Sequence, residues 1–236
     1  MNINGKMLTN FRFADDIALI AESVQELQTN LQELATESRK RGLKINWNKT
    51  KLMRNTNTAS APLKVDNQMI EEVESYISLG QRISLQEKDM DKEISRRIQA
   101  GWKAYNGNKI VFKSNMPISL KRKVFNQCVL PTMIYGAETW AITKQMRSKI
   151  ASAQRSMERN MLGITWQDYK TNEWVRSQTK LTDITEVILR KKWTWAGHVA
   201  RMKDSRWTYE VTNWKPWLGK RKRGRPNKRW RDEPEG

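Results

Sequence analysis

Phe13-Ala14-Asp15-Asp16 puts two adjacent carboxylates between Asn10-Phe11-Arg12 and the apolar run Ile17-Ala18-Leu19-Ile20. Taken alone, an Asp-Asp pair beside an apolar run reads as a turn or a helix N-cap, because a short carboxylate bonds nearby backbone amides. On a tight turn between two strands the same pair suits Mg²⁺, a hard cation held by one or two carboxylates together with substrate phosphates. Two such ions clamp the attacking and leaving oxygens of a phosphoryl transfer.

The neighbours favour a turn between strands. Residues 2–20 read as β-hairpin structure: Ile3, the turn signal Asn4-Gly5, Lys6-Met7-Leu8, then Phe11-Arg12-Phe13, the two aspartates, and Ile17 to Ile20. Both carboxylates then lie at a hairpin tip. Ser23 is an N-cap, and Glu26 three residues later completes a capping box. Val24, Leu27, Leu31 and Leu34 recur at helical spacing, Arg39, Lys40 and Arg41 suit a last turn, and Gly42 ends the helix. Leu43-Lys44-Ile45-Asn46-Trp47 alternates with period two and predicts a strand, followed by Lys49 and Lys51. Leu63-Lys64-Val65 and Val73-Glu74-Ser75-Tyr76-Ile77 predict a strand pair around Asp66-Asn67, with the hairpin ending at Leu79-Gly80.

Three of these blocks, in this order, carry a family resemblance. Phe13-Ala14-Asp15-Asp16-Ile17, Gly42-Leu43-Lys44-Ile45-Asn46 with Lys49-Thr50-Lys51, and Tyr76-Ile77-Ser78-Leu79-Gly80 resemble successive blocks of reverse transcriptases, most closely the non-LTR (LINE-type) retrotransposon enzymes. Tyr135-Gly136-Ala137-Glu138-Thr139-Trp140, Trp195 to Arg201, and Gly224-Arg225-Pro226 with Arg229-Trp230 resemble the C-terminal region of endonuclease–reverse transcriptase polyproteins, so the likeness spans essentially the whole chain. It implies an RNA-directed DNA polymerase working on an RNA template and a DNA primer. Asp15 and Asp16 would be catalytic and hold Mg²⁺ in the palm, Phe13, Ala14 and Lys49 would lie near the nucleotide, and Tyr76, Leu79 and Gly80 would form the primer grip.

The resemblance also implies what is expected of this chain by itself. Family members carry fingers and an earlier palm block with a further metal-binding aspartate, and residues 1–12 contain no Asp or Glu. The expected division is the C-terminal part of a palm over 1–85, a helical thumb-like region over 86–165, a helical C-terminal region over 166–212, and a basic, disordered tail over 213–236. The fold class is α+β, an incomplete palm followed by helices. Such a chain is expected to lack polymerase activity alone, to bind Mg²⁺ weakly or not at all, and to self-associate through an exposed palm edge. Alternative readings are a non-catalytic nucleic-acid-binding remnant and a truncated gene model.

Charge points to nucleic acid independently of the family. Of 44 Lys and Arg and 25 Asp and Glu, residues 1–100 hold 15 and 14, so nearly all of the net +19 falls on residues 101–236. Ten of the eleven tryptophans share that basic half, where rings can stack on bases and cations can hold phosphates. The bland reading of the same composition is a solvated surface. Lys121, Arg122, Lys123, Arg190, Lys191 and Lys192 are candidate contacts on helices, and Lys220, Arg221, Lys222, Arg223 and Arg225 in the tail. The tail's run also suits a nuclear import signal.

The remaining expectations are structural. Ile94, Ile98, Trp102 and Tyr105; residues 118–135 with a kink at Pro131; Met146, Ile150, Ala153, Met157 and Met161; and Ile184, Ile188, Trp195 and Val199 line four helices, with Trp102 and Trp195 packed inside. Cys128 is the sole cysteine, expected to be buried, and His198 the sole histidine, so no disulfide or structural zinc site is expected. No apolar run suits a membrane span and no secretory signal is present, so the expected setting is reducing, in nucleus or cytoplasm, with no membrane partner.

Overall fold

The computed structural model describes residues 1–55, 61–85, 89–202, 206–214 and 230. They fall into two compact units: residues 1–85 with 202 and 206–214, and residues 89–201 with Trp230. The architecture is α+β, with short strand pairs and one long helix in the first unit and helices in the second.

The first unit begins with two hairpins. Asn2–Ile3 pairs with Lys6–Met7 across Asn4 (φ 52°) and Gly5 (φ 85°), the two left-handed residues that a tight hairpin turn requires. Asn10–Phe13 pairs with Asp16–Leu19, so that Phe13 faces Asp16 and Arg12 faces Ile17. Helix Val24–Lys40 follows. The Ser23 side chain accepts from the Glu26 amide at 3.1 Å, while the Glu26 carboxylate accepts from the amide of Glu22 at 3.0 Å, one residue earlier than a capping box would place it. Gly42 (φ 74°) closes the other end, donating to the Arg39 carbonyl at 3.0 Å while the Leu43 amide reaches the Ser38 carbonyl at 2.9 Å. The helix buries Leu31 and Ala35 against Leu52, Leu63, Val65 and Ile70. Each large aliphatic among these contributes about 1.5–3 kcal/mol by leaving water.

Two predicted strands differ in the structure. Leu43–Trp47 is not a strand: Ile45 and Trp47 do pack on this core, but Asn46 draws the chain into a turn. Its side-chain oxygen accepts from the Lys49 amide at 3.2 Å and its carbonyl accepts from the Thr50 amide at 3.0 Å, a local bond that competes with ladder formation. Lys64–Val65 pairs with Gln68–Met69 across Asp66 (φ 51°) and Asn67 (φ 61°), not with Val73–Ile77, because a two-residue turn makes its flanking residues partners. Ser75–Ser78 pairs instead with Gln81–Ser84, which makes Leu79-Gly80 the turn and not the end of the hairpin. Lys51–Leu52 lies parallel to Glu71–Glu72. Lys51–Glu71 and Arg54–Glu72 ion pairs of 2.5 and 2.7 Å flank that pairing.

The second unit packs helices Asp89–Gly107, Lys109–Lys113, Ile118–Val124, Lys144–Leu162 and Ile184–Ala200 around one apolar core, and a further helix, Asn172–Thr179, buries Val175 and Thr179. After Ile118–Val124 the chain passes through a π-helical turn, Phe125–Val129, into Leu130–Met133. Pro131 accounts for this turn: it has no N–H to donate and its ring crowds the carbonyl four residues back, and a π turn absorbs both. Phe125 and Val129 take the core face, so Cys128 is exposed, contrary to the expectation of burial. Tyr105 stacks on Phe112 at 4.3 Å and meets Trp102 edge-on at 5.5 Å. Burial pushes the Tyr105 phenol up to about 12, and its hydroxyl donates to Asn160 at 3.1 Å. Trp102 packs on the core; Trp195 is only half-buried.

Two polar clusters lie inside this unit. Glu93 accepts from Arg96 and from Arg97, both at 2.7 Å, and the Arg97 guanidinium lies 4.8 Å from the Tyr135 ring centre. Glu158 accepts from the Thr179 hydroxyl at 2.6 Å. Gln154 beside it holds the Thr182 carbonyl at 2.9 Å and the Ile184 amide at 2.8 Å, which ties the 179–184 loop to helix Lys144–Leu162.

Candidate functional site

The hairpin Asn10–Phe13/Asp16–Leu19 presents Asp15 in its turn and Asp16 as the first residue of its second strand, both exposed. Cross-strand partners share a face, so Asp16 lies on the same side as Phe13. Phe13 is 65% exposed. Ala14 occupies the first turn position at φ 52°, a left-handed conformation that costs a residue with a Cβ. Among the described residues no side chain hydrogen-bonds to or pairs with either carboxylate, so their oxygens are open to an external cation. Oxygen donors in adjacent pairs suit Mg²⁺ in kind. Among the described residues no third His, Cys, Asp or Glu gathers with them.

The other residues of the predicted site are partly drawn together. Tyr76, on strand Ser75–Ser78, donates its hydroxyl to the Lys49 carbonyl at 3.3 Å, which links the Leu79-Gly80 hairpin to the Lys49 loop. The same loop is fixed by Asn46 on its other side. Leu79 (φ 48°) and Gly80 (φ 74°) form the exposed tip of their hairpin. No hydrogen bond or ion pair among the described residues joins Asp15 or Asp16 to this pair of elements.

The candidate phosphate-binding cations have different environments. Lys121 and Lys192 are buried, and their ammonium groups approach the carbonyls of Met161 and Trp140, each at 3.4 Å. Arg190 pairs with Glu186 at 2.7 Å and Lys191 with Glu138 at 3.1 Å. Arg122 is half-buried and Lys123 exposed. Lys220, Arg221, Lys222, Arg223 and Arg225 lie outside the described residues. Of residues 215–236 only Trp230 is described: its indole N–H donates to the Glu138 carbonyl at 2.7 Å, and Lys192 lies 5.0 Å from its ring centre. Helical phase marks the two inward lysines. Lys121, Phe125 and Val129 continue one face at intervals of four, as do Ile184, Ile188 and Lys192.

Comparison with known proteins converges on the same class. A family model described as reverse transcriptase (RNA-dependent DNA polymerase) matches residues 2–95, which include the aspartate hairpin, the Lys49 loop and the Tyr76 hairpin. A transposon-derived protein of Caenorhabditis elegans is 38% identical over 242 residues, covering 98% of this chain and 86% of that protein. No solved structure matches the chain. The chain belongs to the reverse-transcriptase family of retrotransposon-derived proteins.

Proposed function

We propose that the chain belongs to a non-LTR (LINE-type) element, that its Asp15–Asp16 hairpin is the metal side of an RNA-directed DNA polymerase, and that its helical half holds nucleic acid by the phosphates. The observation that carries this reading is the Asp15–Asp16 tip: two exposed carboxylates with no internal partner, on the hairpin that falls within the reverse-transcriptase match. Asp15 and Asp16 would hold Mg²⁺, which when bound neutralises charge on the transferring phosphoryl group. The chain's own part is positioning: the turn orients the carboxylates, and the Tyr76–Lys49 bond sets the hairpin that would face a primer.

By itself the 236-residue chain binds nucleic acid and does not extend a primer. Two adjacent carboxylates are a partial donor set for two cations, whereas the charge on residues 101–236, 29 basic against 11 acidic, acts without any metal. Primer extension on an RNA template with dNTPs and Mg²⁺ tests the first half, and titration of a labelled RNA–DNA duplex at increasing salt tests the second. The expected result is no extension, with affinity that falls steeply with salt, by roughly 0.7–0.9 in log–log slope per phosphate neutralised. Template-dependent incorporation that Asp15→Ala abolishes would overturn the inactivity, and salt-independent affinity would overturn the binding mode.

A further inference from the structure

The loop between helices Lys144–Leu162 and Asn172–Thr179 carries Trp166 and Tyr169, and neither ring is used by the fold. Trp166 is 76% exposed and Tyr169 85% exposed. Their backbones are joined, the Tyr169 amide donating to the Trp166 carbonyl at 3.2 Å, but neither side chain makes a hydrogen bond or a ring contact among the described residues. Yet the segment that holds them is tightly built. The Asp168 carboxylate accepts from the Thr165 amide at 2.6 Å and from its hydroxyl at 3.0 Å. Arg159, reaching across from the first helix, donates to the Lys170 carbonyl at 3.2 Å and to Asn172 at 2.8 Å. Thr171 then caps the second helix by accepting from the Trp174 amide at 3.2 Å. Tyr169 itself stands at φ 49°. Glycine would take that conformation without strain, so the chain spends backbone energy to keep an aromatic ring at an exposed tip.

The surroundings select the chemistry of a ligand. Residues 144–180 hold eight Lys and Arg against three acidic residues. Two of the three acids accept hydrogen bonds, Glu158 from Thr179 and Asp168 from Thr165, while Lys149 and Arg176 pair with Asp91 and Asp183 outside this span. Lys170 lies 5.2 Å from the ring centre of Trp174, which adds a cation beside a third aromatic. Solvent-facing rings on a braced loop, beside Arg159 and Lys170 that form no ion pair with a carboxylate among the described residues, suit bases with free π-faces joined by phosphates, that is, an unpaired nucleic-acid strand. An acidic peptide would use the cations but leave the planar rings without partners of matching shape.

We propose that Trp166 and Tyr169 form a base-stacking platform that binds single-stranded nucleic acid. The inference rests on the reading that this helical half binds nucleic acid, and adds that part of the binding is by stacking and is confined to unpaired bases.

The full chain, titrated with short oligo(U), oligo(dT) and a blunt duplex, provides the test. Trp166→Ala and Tyr169→Ala should each weaken single-strand binding about tenfold, leave duplex binding within twofold, and leave the salt slope unchanged, since no charge is removed. Trp166→Phe and Tyr169→Phe should bind nearly as the wild type does, because each keeps a ring. The ratio of oligo(U) to oligo(dT) affinity identifies which strand the platform prefers. Alanine variants that bind single strands as tightly as the wild type, or that lose duplex and single-strand affinity together, would overturn the platform. A wild-type chain with no salt-dependent affinity for any of the three would instead overturn the reading beneath it.

Discussion

Gly101 and Gly107 lie on one helix, Asp89–Gly107, and the same substitution should act on them in opposite directions. A helix gains up to about 1 kcal/mol when glycine becomes alanine, because the unfolded chain loses freedom and the folded one does not. At Gly107 a new Cβ meets nothing within 4 Å, so that gain is kept, reduced by the terminal position. At Gly101 the new Cβ would overlap Met133 Cγ and lie 2.9 Å from Met133 Sδ and 3.5 Å from Met157 Cε. Met133 is fully buried, and Cγ sits near the root of its side chain, so rotating the tip gives no relief. Overpacking of this kind costs about 1–3 kcal/mol. Gly101→Ala should therefore destabilise by up to about 2 kcal/mol, and most of the difference between the two variants is the clash, since the propensity gain is common to both. Urea melts of the full chain followed by far-UV circular dichroism measure both. Met133→Ala removes the obstructing atoms, so in that background Gly101→Ala should become stabilising. If Gly101→Ala stabilises the otherwise native chain as Gly107→Ala does, the packing of Met133 against this helix is wrong.

Four further outcomes are expected. Glu93→Ala should cost about 3–5 kcal/mol in the same melts, because it removes the carboxylate that pairs with the buried Arg97 at 2.7 Å; a loss under 1 kcal/mol would mean that this pair adds little to stability. Burial alone would raise the Glu93 carboxyl, but hydrogen bonds from Arg96 and Arg97 hold it below its ordinary value, so its contribution is present above about pH 4.5 and lost as acid protonates it. Glu158 has the opposite sign: burial raises its carboxyl despite the Thr179 bond, so its stabilising, protonated form is lost as pH rises, and Glu158→Gln should raise the melting temperature at pH 8 and change it little at pH 4. Ala14→Gly should stabilise the aspartate hairpin by about 0.5–1 kcal/mol by relieving its positive φ, read as slower amide exchange at residues 10–19; exchange unchanged or faster would argue against a left-handed Ala14.

Cap and turn signals in this sequence are reliable, whereas strand alternation, as at Leu43–Trp47, and strand pairing are not. The turn at Asn4-Gly5, the cap at Ser23 and the stop at Gly42 depend on residues within five positions, and all three are where the pattern places them. Lys64–Val65 finds its partner in Gln68–Met69, and not in the apolar Val73–Ile77, because Asp66-Asn67 is itself a complete turn. The parallel pairing of Lys51–Leu52 with Glu71–Glu72 has no local signature, since 20 residues separate Lys51 from Glu71 and the contacts that join them, the ladder and the ion pairs, form only once the chain has folded. For the candidate site, Asp15 and Asp16 were legible because a turn displays what it contains. The lysines were legible as charge but not as direction. A run such as Arg190-Lys191-Lys192 looks uniform in sequence, whereas a helix turns one of the three inward, and here it is Lys192.

The positive-φ residues sort by what their neighbours need. At Asn4, Asp66 and Asn67 the side chain can bond its own backbone, so a left-handed turn there is ordinary. The side chains of Ala14, Leu79, Tyr169 and Lys180 cannot do this; Lys180 ends helix Asn172–Thr179, its amide donating to the Arg176 carbonyl at 2.8 Å, and the other three sit at the exposed tips of the aspartate hairpin, the Leu79-Gly80 hairpin and the aromatic loop. Stability alone would favour glycine at all three. Their side chains are exposed and add little to either core, so the backbone strain that glycine would relieve is not repaid by packing. The three sites separate in experiment. Glycine at each should stabilise or leave unchanged the free protein, and only the positions that meet nucleic acid should then lose affinity for it.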